Sequence, residues 1–496
     1  MNIKKCIICT LLLIAVIIIV SCSDSGGTGD TVGGNADVTT QPGGEAVAET
    51  NEASIAPVLP EKDYGGEEMK FLVKLEGSEG SPQQWTSMDI FVENMTGEPI
   101  NDARYERNRI IEEKYNIKIT ESRMDMGGQG AGAMYNGIGK IVMAGDSAYD
   151  IVMPTLEDSA KLAAEGYFID WNTLDYIDPQ SPWWAQFVNE SVAIKNKIFF
   201  STGDICLSSM EASYTMIFHK GIAENLSLEN PYQLVLDGKW TIDKVLEMSR
   251  MFAEDMDNND VINDKDHVGV HVLFNTAQAL YASSGQKIVT PTADGFTLTI
   301  SSERSLNVYS KILELYSDNG TWGYVGGNVD NGRAMMIAGD TLFLLGTMRN
   351  VQHMRDMEAD FGILPFPKIE DLQDRHYTYL QTWATSAVGI LITAADPEKS
   401  SIILEDMAYL SKTMVTPEFY EVTLKTKYAR DAESLEMLDI IFSNVTCDLG
   451  YLFSIGGYVA TFDSALNGLK DNFVSLYTTS EEKALTQLND YYNMFS

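Results

Sequence analysis

The chain has 496 residues, of which 71 are acidic and 35 basic, for a formal net charge of -36. This surplus of carboxylates argues against a nucleic-acid partner, because phosphate binding depends on clustered lysine and arginine side chains. Hydrophobic residues make up 45% of the sequence, enough for the cores of two or three domains.

The beginning of the chain has the layout of a bacterial export signal. Two early lysines precede an apolar stretch over residues 6–20, which fits the roughly 7–15 residues of a secretory signal better than the roughly 20 of a membrane span. The sequence IVSC, residues 19–22, resembles the bacterial lipobox. That resemblance implies a signal peptide over 1–21 and acylation, including palmitate, of Cys22, which would hold the chain at the extracellular face of the cytoplasmic membrane. The alternative is an uncleaved anchor helix that ends in an incidental thiol.

Residues 22–62 are mostly glycine, serine, threonine, alanine and acids. Such a segment cannot bury enough apolar surface to offset the entropy of ordering it. We therefore expect a flexible tether, with ordered structure beginning at about Asp63.

Cysteine usage leaves one question open. Of five cysteines, three lie at or before the expected lipidation site, and Cys206 and Cys447 remain. An exported pair can form a disulfide, and two buried free thiols fit the sequence equally well.

Strand and helix patterns alternate in the first half of the ordered chain. Strands are predicted over 70–73, 117–120 and 149–154, and helices over 100–115, near 138–144 and over 156–166. This alternation predicts βαβ units around a mainly parallel sheet with helices on both faces. Because ligands bind beyond the carboxyl ends of such strands, the turn after Met153 is a candidate binding position.

The second half continues the alternation of strands and helices and becomes helical toward the C-terminus. The segments YTMIFHKG and ADFGILPFPK predict strands, whereas the stretches after Thr241 and over 306–320 predict amphipathic helices. The segment GRAMMIAGDTLFLLG, which begins at Gly332, predicts a strand, a tight turn and a helix. From about residue 397 onward the pattern is helical.

The order of these segments resembles the extracellular solute-binding proteins of bacterial ABC importers, in particular the sugar-binding group to which maltose-binding protein belongs. The matching segments, which extend from about residue 64 to 412, are YDIVMPTLEDSAKLAAEGYFIDW, YTMIFHKGIAENL, GKWTIDKVLEMSRMF, GRAMMIAGDTLFL, ADFGILPFPK and ITAADPEKSSIILEDMAYLS. Their collinear order carries the resemblance, and the C-terminal part beyond them matches least.

The resemblance implies an α/β fold of two lobes, the type II periplasmic-binding-protein-like fold, with a helical C-terminal region. The implied first lobe covers residues 63–211 and 336–400, the second lobe covers 212–335, and a helical region over 401–496 packs on both. Crossings between the lobes are implied near Ser209–Phe218 and near Gly332–Gly339. Hinge closure of such lobes on a ligand follows from its contacts with both of them.

The resemblance implies that a monomeric protein captures a small polar solute and delivers it to an ABC permease. The solute class expected first is an oligosaccharide. No cofactor is required. The chain shows no GxSxG, HExxH, P-loop or GxGxxG motif, so nothing in it favours an enzyme. Two alternatives stay open: an envelope-tethered glycan hydrolase, and a sugar-sensing subunit of a signalling receptor.

Candidate ligand residues combine aromatic rings with polar groups, as sugar sites do. By position in the resemblance they are Thr155, Glu157, Asp158, Asp340 and Trp383, and by their place in a loop Trp183 and Trp184. For the three residues after the strand at 149–154 the alternative is helix capping and a favourable charge at a helix N-terminus. For each tryptophan the alternative is a place in the core.

The acidic segment DMDNNDVINDKD, residues 255–266, has the spacing of a calcium-binding loop. The predicted ligands are Asp255, Asp257, Asn259, the Val261 carbonyl, Asn263 and Asp266. Asp260 stands where such a loop prefers glycine, and Asp266 is shorter than the usual glutamate. A structural calcium ion and a solvated acidic turn both remain open.

Overall fold

The computed structural model describes residues 56–78, 81–127, 132–273, 275–292, 295–323, 329–354, 356–420 and 431–495. Its strands are β1 (Glu67–Leu75), β2 (Gly77–Ser78), β3 (Ser81–Pro82), β4 (Ile117–Asp125), β5 (Ile151–Met153), β6 (Phe200–Ser201), β7 (Tyr214–His219), β8 (Val268–Val272), β9 (Val289–Thr292), β10 (Gly295–Leu298), β11 (Thr321–Gly323), β12 (Thr341–Thr347), β13 (Phe361–Leu364), β14 (Thr378–Tyr379), β15 (Val388–Ile390) and β16 (Val445–Thr446).

The helices connect and cover these strands. They are α1 (Pro99–Tyr115), α2 (Ala133–Met143), α3 (Leu156–Ala164), α4 (Gln186–Val192), α5 (Ser208–Glu211), α6 (Lys220–Asn225), α7 (Pro231–Leu236), α8 (Ile242–Ser249), α9 (Thr276–Ser283), α10 (Glu303–Ser317), α11 (Val329–Ala338), α12 (Met348–His353), α13 (Pro397–Leu410), α14 (Ala432–Ser443), α15 (Leu449–Leu452), α16 (Tyr458–Asn467) and α17 (Phe473–Met494). No helix in the described ranges is long and apolar enough to cross a membrane.

The first lobe is built around a five-stranded sheet with the order β4-β1-β5-β15-β6. Strand β1 runs parallel to β4 and β5, and β15 runs antiparallel to β5 and β6. The last five residues of β1 are all buried, as expected for a strand covered on both faces. The strands predicted over 70–73, 117–120 and 149–154 are confirmed.

The second lobe is built around another five-stranded sheet, with the order β11-β8-β12-β7-β13. Strands β11, β8 and β12 are parallel, whereas β7 and β13 are antiparallel to their neighbours. The strands predicted in YTMIFHKG and ADFGILPFPK are β7 and β13, and the helix predicted after Thr241 is α8, whose first turn the Thr241 hydroxyl caps.

The order predicted for GRAMMIAGDTLFLLG is wrong, because its first half is helix α11 and its second half is strand β12. Gly339 lies between them with a φ of 83°, a left-handed conformation that suits glycine at the end of a helix. All seven residues of β12 are buried, and a short continuous apolar run of this kind fits a buried strand as well as a helix.

Two chain segments cross between the lobes side by side. The outgoing segment, residues 207–213, leads into β7, and the return segment, residues 380–387, leads into β15. Gln381 N–H donates to the Ala212 carbonyl at 3.1 Å, and Ser386 N–H donates to Ser208 Oγ at 2.9 Å. The chain therefore has two α/β lobes joined at a hinge, as the resemblance implies.

The crossing predicted near Ser209–Phe218 overlaps the outgoing segment, but the return predicted near Gly332–Gly339 is wrong. Strands β12 and β13 both follow that position, and both lie in the sheet of the second lobe. The first lobe therefore resumes with the return segment and not at residue 336.

The C-terminal region is helical, as predicted, and contacts both lobes. Helix α13 packs on α1 and β15 of the first lobe, whereas α14 packs on β13 and α7 of the second. Cys206 and Cys447 are buried and free, which settles the cysteine alternatives in favour of two thiols.

The N-terminal predictions lie largely outside the described residues. These are the signal peptide over 1–21, the lipid anchor at Cys22 and most of the tether. The end of the predicted tether is described: Lys62 Nζ lies 2.7 Å from Glu398 Oε1 at the start of α13.

Candidate functional site

The turn after β5 lies against the return segment at the hinge. Leu156 N–H donates to the Thr385 carbonyl at 2.9 Å, and Ala387 N–H donates to the Pro154 carbonyl at 2.8 Å. Thr155 is 5% exposed, and its Oγ1 accepts from Asp158 N–H at 3.1 Å. Thr155 therefore acts as the N-cap of α3, which is the alternative that the sequence left open for it.

Glu157 and Asp158, on the first turn of α3, have different surroundings. Glu157 is half-buried, and its Oε1 accepts a hydrogen bond from Thr382 Oγ1 at 2.7 Å. Asp158 is 1% exposed, and Lys161 Nζ is 4.0 Å away. Burial raises the pKa of both carboxyls, that of Asp158 to about 7. Of the two, Glu157 reaches the return segment.

Trp383 follows Thr382 and extends this position with an aromatic ring. It is half-buried, and its ring centroid lies 6.1 Å from that of Trp85 in an edge-to-face arrangement. The Trp383 Nε1 is buried without a hydrogen-bond partner among the described residues. The hinge thus carries a carboxylate, a hydroxyl and an indole, from Glu157, Thr382 and Trp383, which are the kinds of group that a sugar site uses.

Trp85, which is not predicted from the sequence, lies in the loop after the β2–β3 hairpin. Its N–H donates to Glu76 Oε2 at 2.8 Å, and the Arg349 guanidinium lies 5.4 Å from the Trp85 ring centroid. The signal available in the sequence was its position shortly after the first strand of a parallel sheet.

Trp183 and Trp184 are core residues, so their prediction as exposed loop aromatics is wrong. Each is 2% exposed. Trp184 Nε1 donates to Glu405 Oε2 at 3.0 Å, and the Trp183 ring lies 5.4 Å from that of Tyr409. Both therefore pack against α13 inside the first lobe.

Asp340 lies at the wrong end of the second sheet for the predicted role. It immediately precedes β12, and its carbonyl accepts from Val268 N–H at the beginning of β8, at 2.9 Å. The hinge is at the other end of β12, where Met348 N–H donates to the Ser213 carbonyl at 2.9 Å. The structure therefore does not bring Asp340 to Glu157 and Trp383.

The residues that follow β8 lie at the end of the second sheet that faces the hinge. Asn275 adopts a left-handed φ of 65° just before α9, and Gln278 is one turn further on. Both side chains are 4% exposed, and neither Asn275 Nδ2 nor Gln278 Oε1 has a hydrogen-bond partner in the described part of the chain. Buried polar atoms of this kind call for a partner. Neither residue is predicted from the sequence, because the strand before them, β8, is not among the predicted strands.

A small cavity lies at the outgoing segment of the hinge, between Lys74, Trp85, Glu211 and Arg349. Its volume is about 180 Å³, below the roughly 300–1,000 Å³ of most small-molecule sites. Lys74 is buried on its wall, where its Nζ donates to the carbonyls of Trp85 and Ala384 (2.8 Å for the latter), and burial lowers its pKa to about 8. Arg349 donates to Glu211 and to the Gln84 carbonyl, so it ties the second lobe to the first.

The predicted calcium loop brings three of its carboxylates together. Oxygen atoms of Asp255, Asp257 and Asp266 lie within 4.8 Å of one another. Asp260, at the glycine position, adopts the required left-handed backbone with a φ of 63°. Carboxylates on a sharp turn are the kind of ligand that calcium takes, but calcium takes roughly six to eight oxygen ligands in all, so the site stays a prediction.

Several of the predicted ligands also form hydrogen bonds within the loop. Asn259 Oδ1 accepts from Val261 N–H at 2.8 Å, and Asn263 Nδ2 donates to the Val261 carbonyl at 3.0 Å. Both oxygens of Asp266 accept backbone N–H groups, from Met256 and Asn263, each at 2.8 Å. The loop therefore has an ordered shape of its own.

No protein-family model and no curated protein matches the chain, but solved structures do. The galacto-N-biose-/lacto-N-biose I-binding protein of an ABC transporter from Bifidobacterium longum, in complex with lacto-N-biose, matches with a TM-score of 0.55 and 11% identity over 87% of this chain and 99% of that one. An ABC substrate-binding protein from Listeria monocytogenes in complex with cycloalternan matches with a TM-score of 0.53 and 12% identity, over 86% of this chain and 99% of that one.

The maltose/maltodextrin-binding domain from Bdellovibrio bacteriovorus bound to maltotriose gives a TM-score of 0.52 and 12% identity, over 85% of this chain and all of that one (100%). At such identities the likeness concerns the fold. The chain therefore has the two-lobe, maltose-binding-protein-like fold of the sugar-binding proteins of ABC importers.

Proposed function

We propose that this chain captures a small polar solute, an oligosaccharide, between its two lobes and delivers it to an ABC permease as a monomer. It makes and breaks no bond in the solute. The lipid anchor at Cys22 keeps it at the extracellular face of the membrane.

The observation that carries the proposal is the placement of Glu157, Thr382 and Trp383 at the hinge. They lie where the return segment meets the turn after β5. A ligand held there and also bound by the second lobe would shift the equilibrium of the lobes toward closure, because it would contact both of them. The saccharides bound by the three structural neighbours support the choice of solute class.

A thermal-shift screen tests the proposal. The chain is mixed with a panel of mono- and oligosaccharides, with peptides and polyamines as further arms. A ligand that binds only the folded state raises the melting temperature by mass action, so we expect stabilisation by at least one oligosaccharide. Stabilisation by a peptide or polyamine alone would reject the solute class, and no shift with any compound would reject solute capture.

The alternatives predict different outcomes with the same panel. A glycan hydrolase would release products, which chromatography of the incubated saccharides detects. A sensing subunit would bind the sugar, but removing the chain from cells would leave uptake of the labelled sugar unchanged. We expect unaltered saccharides and reduced uptake.

A further inference from the structure

The C-terminal helix α17 is anchored on the second lobe. Near its beginning, the Phe473 ring stacks on Tyr309 of α10 with centroids 5.0 Å apart. Near its end, Tyr492 packs edge-to-face on Phe296 of strand β10 at 5.9 Å. The helix therefore belongs to the body that carries α10 and the β9–β10 hairpin.

The tip of α17 also touches the first lobe. The Phe495 ring lies 5.5 Å from Phe199, which leads into β6, and Phe495 is only 4% exposed. Lys195 Nζ lies 4.3 Å from the centroid of the Tyr492 ring. Tyr492 thus stands between a cation of the first lobe and an aromatic ring of the second.

The contacting part of the first lobe is a tight turn over 194–197. Lys195 and Asn196 have left-handed φ values of 53° and 61°, and Ile194 and Lys197 form a β-bridge. Consecutive left-handed residues make a type I′ hairpin turn. The turn continues into the edge strand β6, so it moves with the sheet of the first lobe.

We propose that the tip of α17 is a clasp that favours the arrangement of the two lobes seen in this structure over other arrangements. The outgoing and return segments allow one lobe to rotate on the other, and rotation away from this arrangement moves the turn over 194–197 relative to a helix fixed to the second lobe. Such a rotation breaks the aromatic pair and the cation–π contact. The C-terminal helix therefore sets how much of the protein adopts this arrangement before any solute arrives, and so how tightly it binds one.

Distances between spin labels measure this equilibrium without a ligand. The labels go on Asp146→Cys and Glu358→Cys, two exposed positions near the amino ends of β5 and β13. They are placed in the full chain with Cys6, Cys9 and Cys22 replaced by serine. Cys206 and Cys447 are buried and stay unlabelled.

The clasp is removed from each side in turn. Phe495→Ala removes the ring on the helix, Phe199→Ala removes its partner on the first lobe, and Tyr492→Leu removes the cation–π contact. Each variant should lower the population of this arrangement relative to the others by up to about tenfold, as expected of single aromatic or cation–π contacts. The Phe199 and Phe495 double variant should shift it by less than the product of the two single effects.

Met494→Ala is the matched control, because Met494 is exposed on the same turn of α17. It should leave the distances unchanged. Circular dichroism and the melting temperature verify that each variant folds. If a variant on one side of the contact does not fold, the variant on the other side provides the test. Unchanged distances in the folded Phe199 and Tyr492 variants would overturn the clasp. Since no solute is present, this result is independent of whether the chain binds a saccharide.

Discussion

Thr382 Oγ1 donates a hydrogen bond to Glu157 Oε1 at 2.7 Å, which ties the return segment of the hinge to the first turn of helix α3. The carboxylate therefore faces the junction of the two lobes, and burial holds its pKa above the ordinary value. Trp383 follows Thr382 directly in the chain, so the return segment carries an aromatic residue beside the hydroxyl that binds Glu157.

Glu157→Gln should weaken binding of the saccharide found in the screen by about tenfold to a hundredfold, because a hydrogen bond to a charged group contributes roughly 1.5–3 kcal/mol. Isothermal titration calorimetry measures the change. Thr382→Val is the companion variant: it removes the hydroxyl but keeps the carboxylate, so the loss should be smaller. Equal affinity of wild type and Glu157→Gln would remove Glu157 from the site.

Two tryptophan substitutions should affect different properties, one the saccharide affinity and the other the stability of the fold. Trp383→Ala should lower saccharide affinity by about tenfold, from the loss of an aromatic platform. Trp184→Phe should lower the free energy of unfolding by about 1–3 kcal/mol, because it leaves the buried Glu405 without its indole donor, and should not change affinity. Calorimetry and thermal melts on both variants check this, and reversed effects would contradict the assignment of the two rings.

Thr155 and Trp184 show which contacts can be predicted from the sequence and which cannot. The cap at Thr155 and the turn after β5 follow from local rules, because a helix that begins after a buried strand needs a side chain to satisfy its first N–H groups. Whether Trp184 faces solvent or α13 depends on Glu405, more than two hundred residues away in the chain, and no local pattern encodes that contact.

The position of the return crossing between the lobes was also mispredicted because it depends on contacts between residues that are far apart in the chain. Strands β12 and β13 are buried throughout and largely apolar, so their sequence fits the sheet of either lobe. Their pairing with β7 decides the matter, and pairing across such sequence separations is set by packing of the whole chain. Asn275 and Gln278 could have been found from the same rule as Glu157, had the strand before them been assigned.

The pH dependence of stability should include a contribution from Asp463. Burial raises its pKa from 3.8 to about 7, and Oδ1 accepts one hydrogen bond, from Gln278 N–H at 3.3 Å. The folded protein therefore holds a proton that the unfolded chain releases between about pH 4 and pH 7, so the unfolding free energy falls as pH rises through that window. Asp463→Asn should flatten this fall and raise the melting temperature at pH 8 by about 2–5 °C.

Asp490→Asn, on the exposed side of α17, serves as the control for the loss of one acid. Melts between pH 4 and pH 8 give the comparison. The same slope in wild type and Asp463→Asn would show that Asp463 does not retain its proton in the folded state.

Calcium binding by the 255–266 loop stays a prediction, and chelation tests it. If the loop holds calcium, a chelator should lower the melting temperature by a few degrees, because an ion bound only by the folded state stabilises it. Asp257→Asn should abolish the response, since it removes one of the three clustered carboxylates. Asp264→Asn, in the same loop but outside the ligand set, should retain it. Identical melting temperatures with and without chelator would show that the loop is a solvated acidic turn that holds no calcium.

The lipid anchor lies outside the described residues and is tested in cells. Cys22→Ser removes the thiol that would be acylated, so we expect the chain to leave the membrane fraction, because acyl chains supply the membrane affinity. Fractionation followed by immunoblotting measures this. Continued retention in the membrane fraction would favour the uncleaved anchor helix.

The most direct test of solute capture is a crystal structure of the chain with the saccharide that stabilises it best. We predict sugar density between the lobes, with one ring against Trp383 and a hydroxyl within hydrogen-bond distance of Glu157. A sugar bound on the outer surface of one lobe, out of reach of the return segment, would contradict the account.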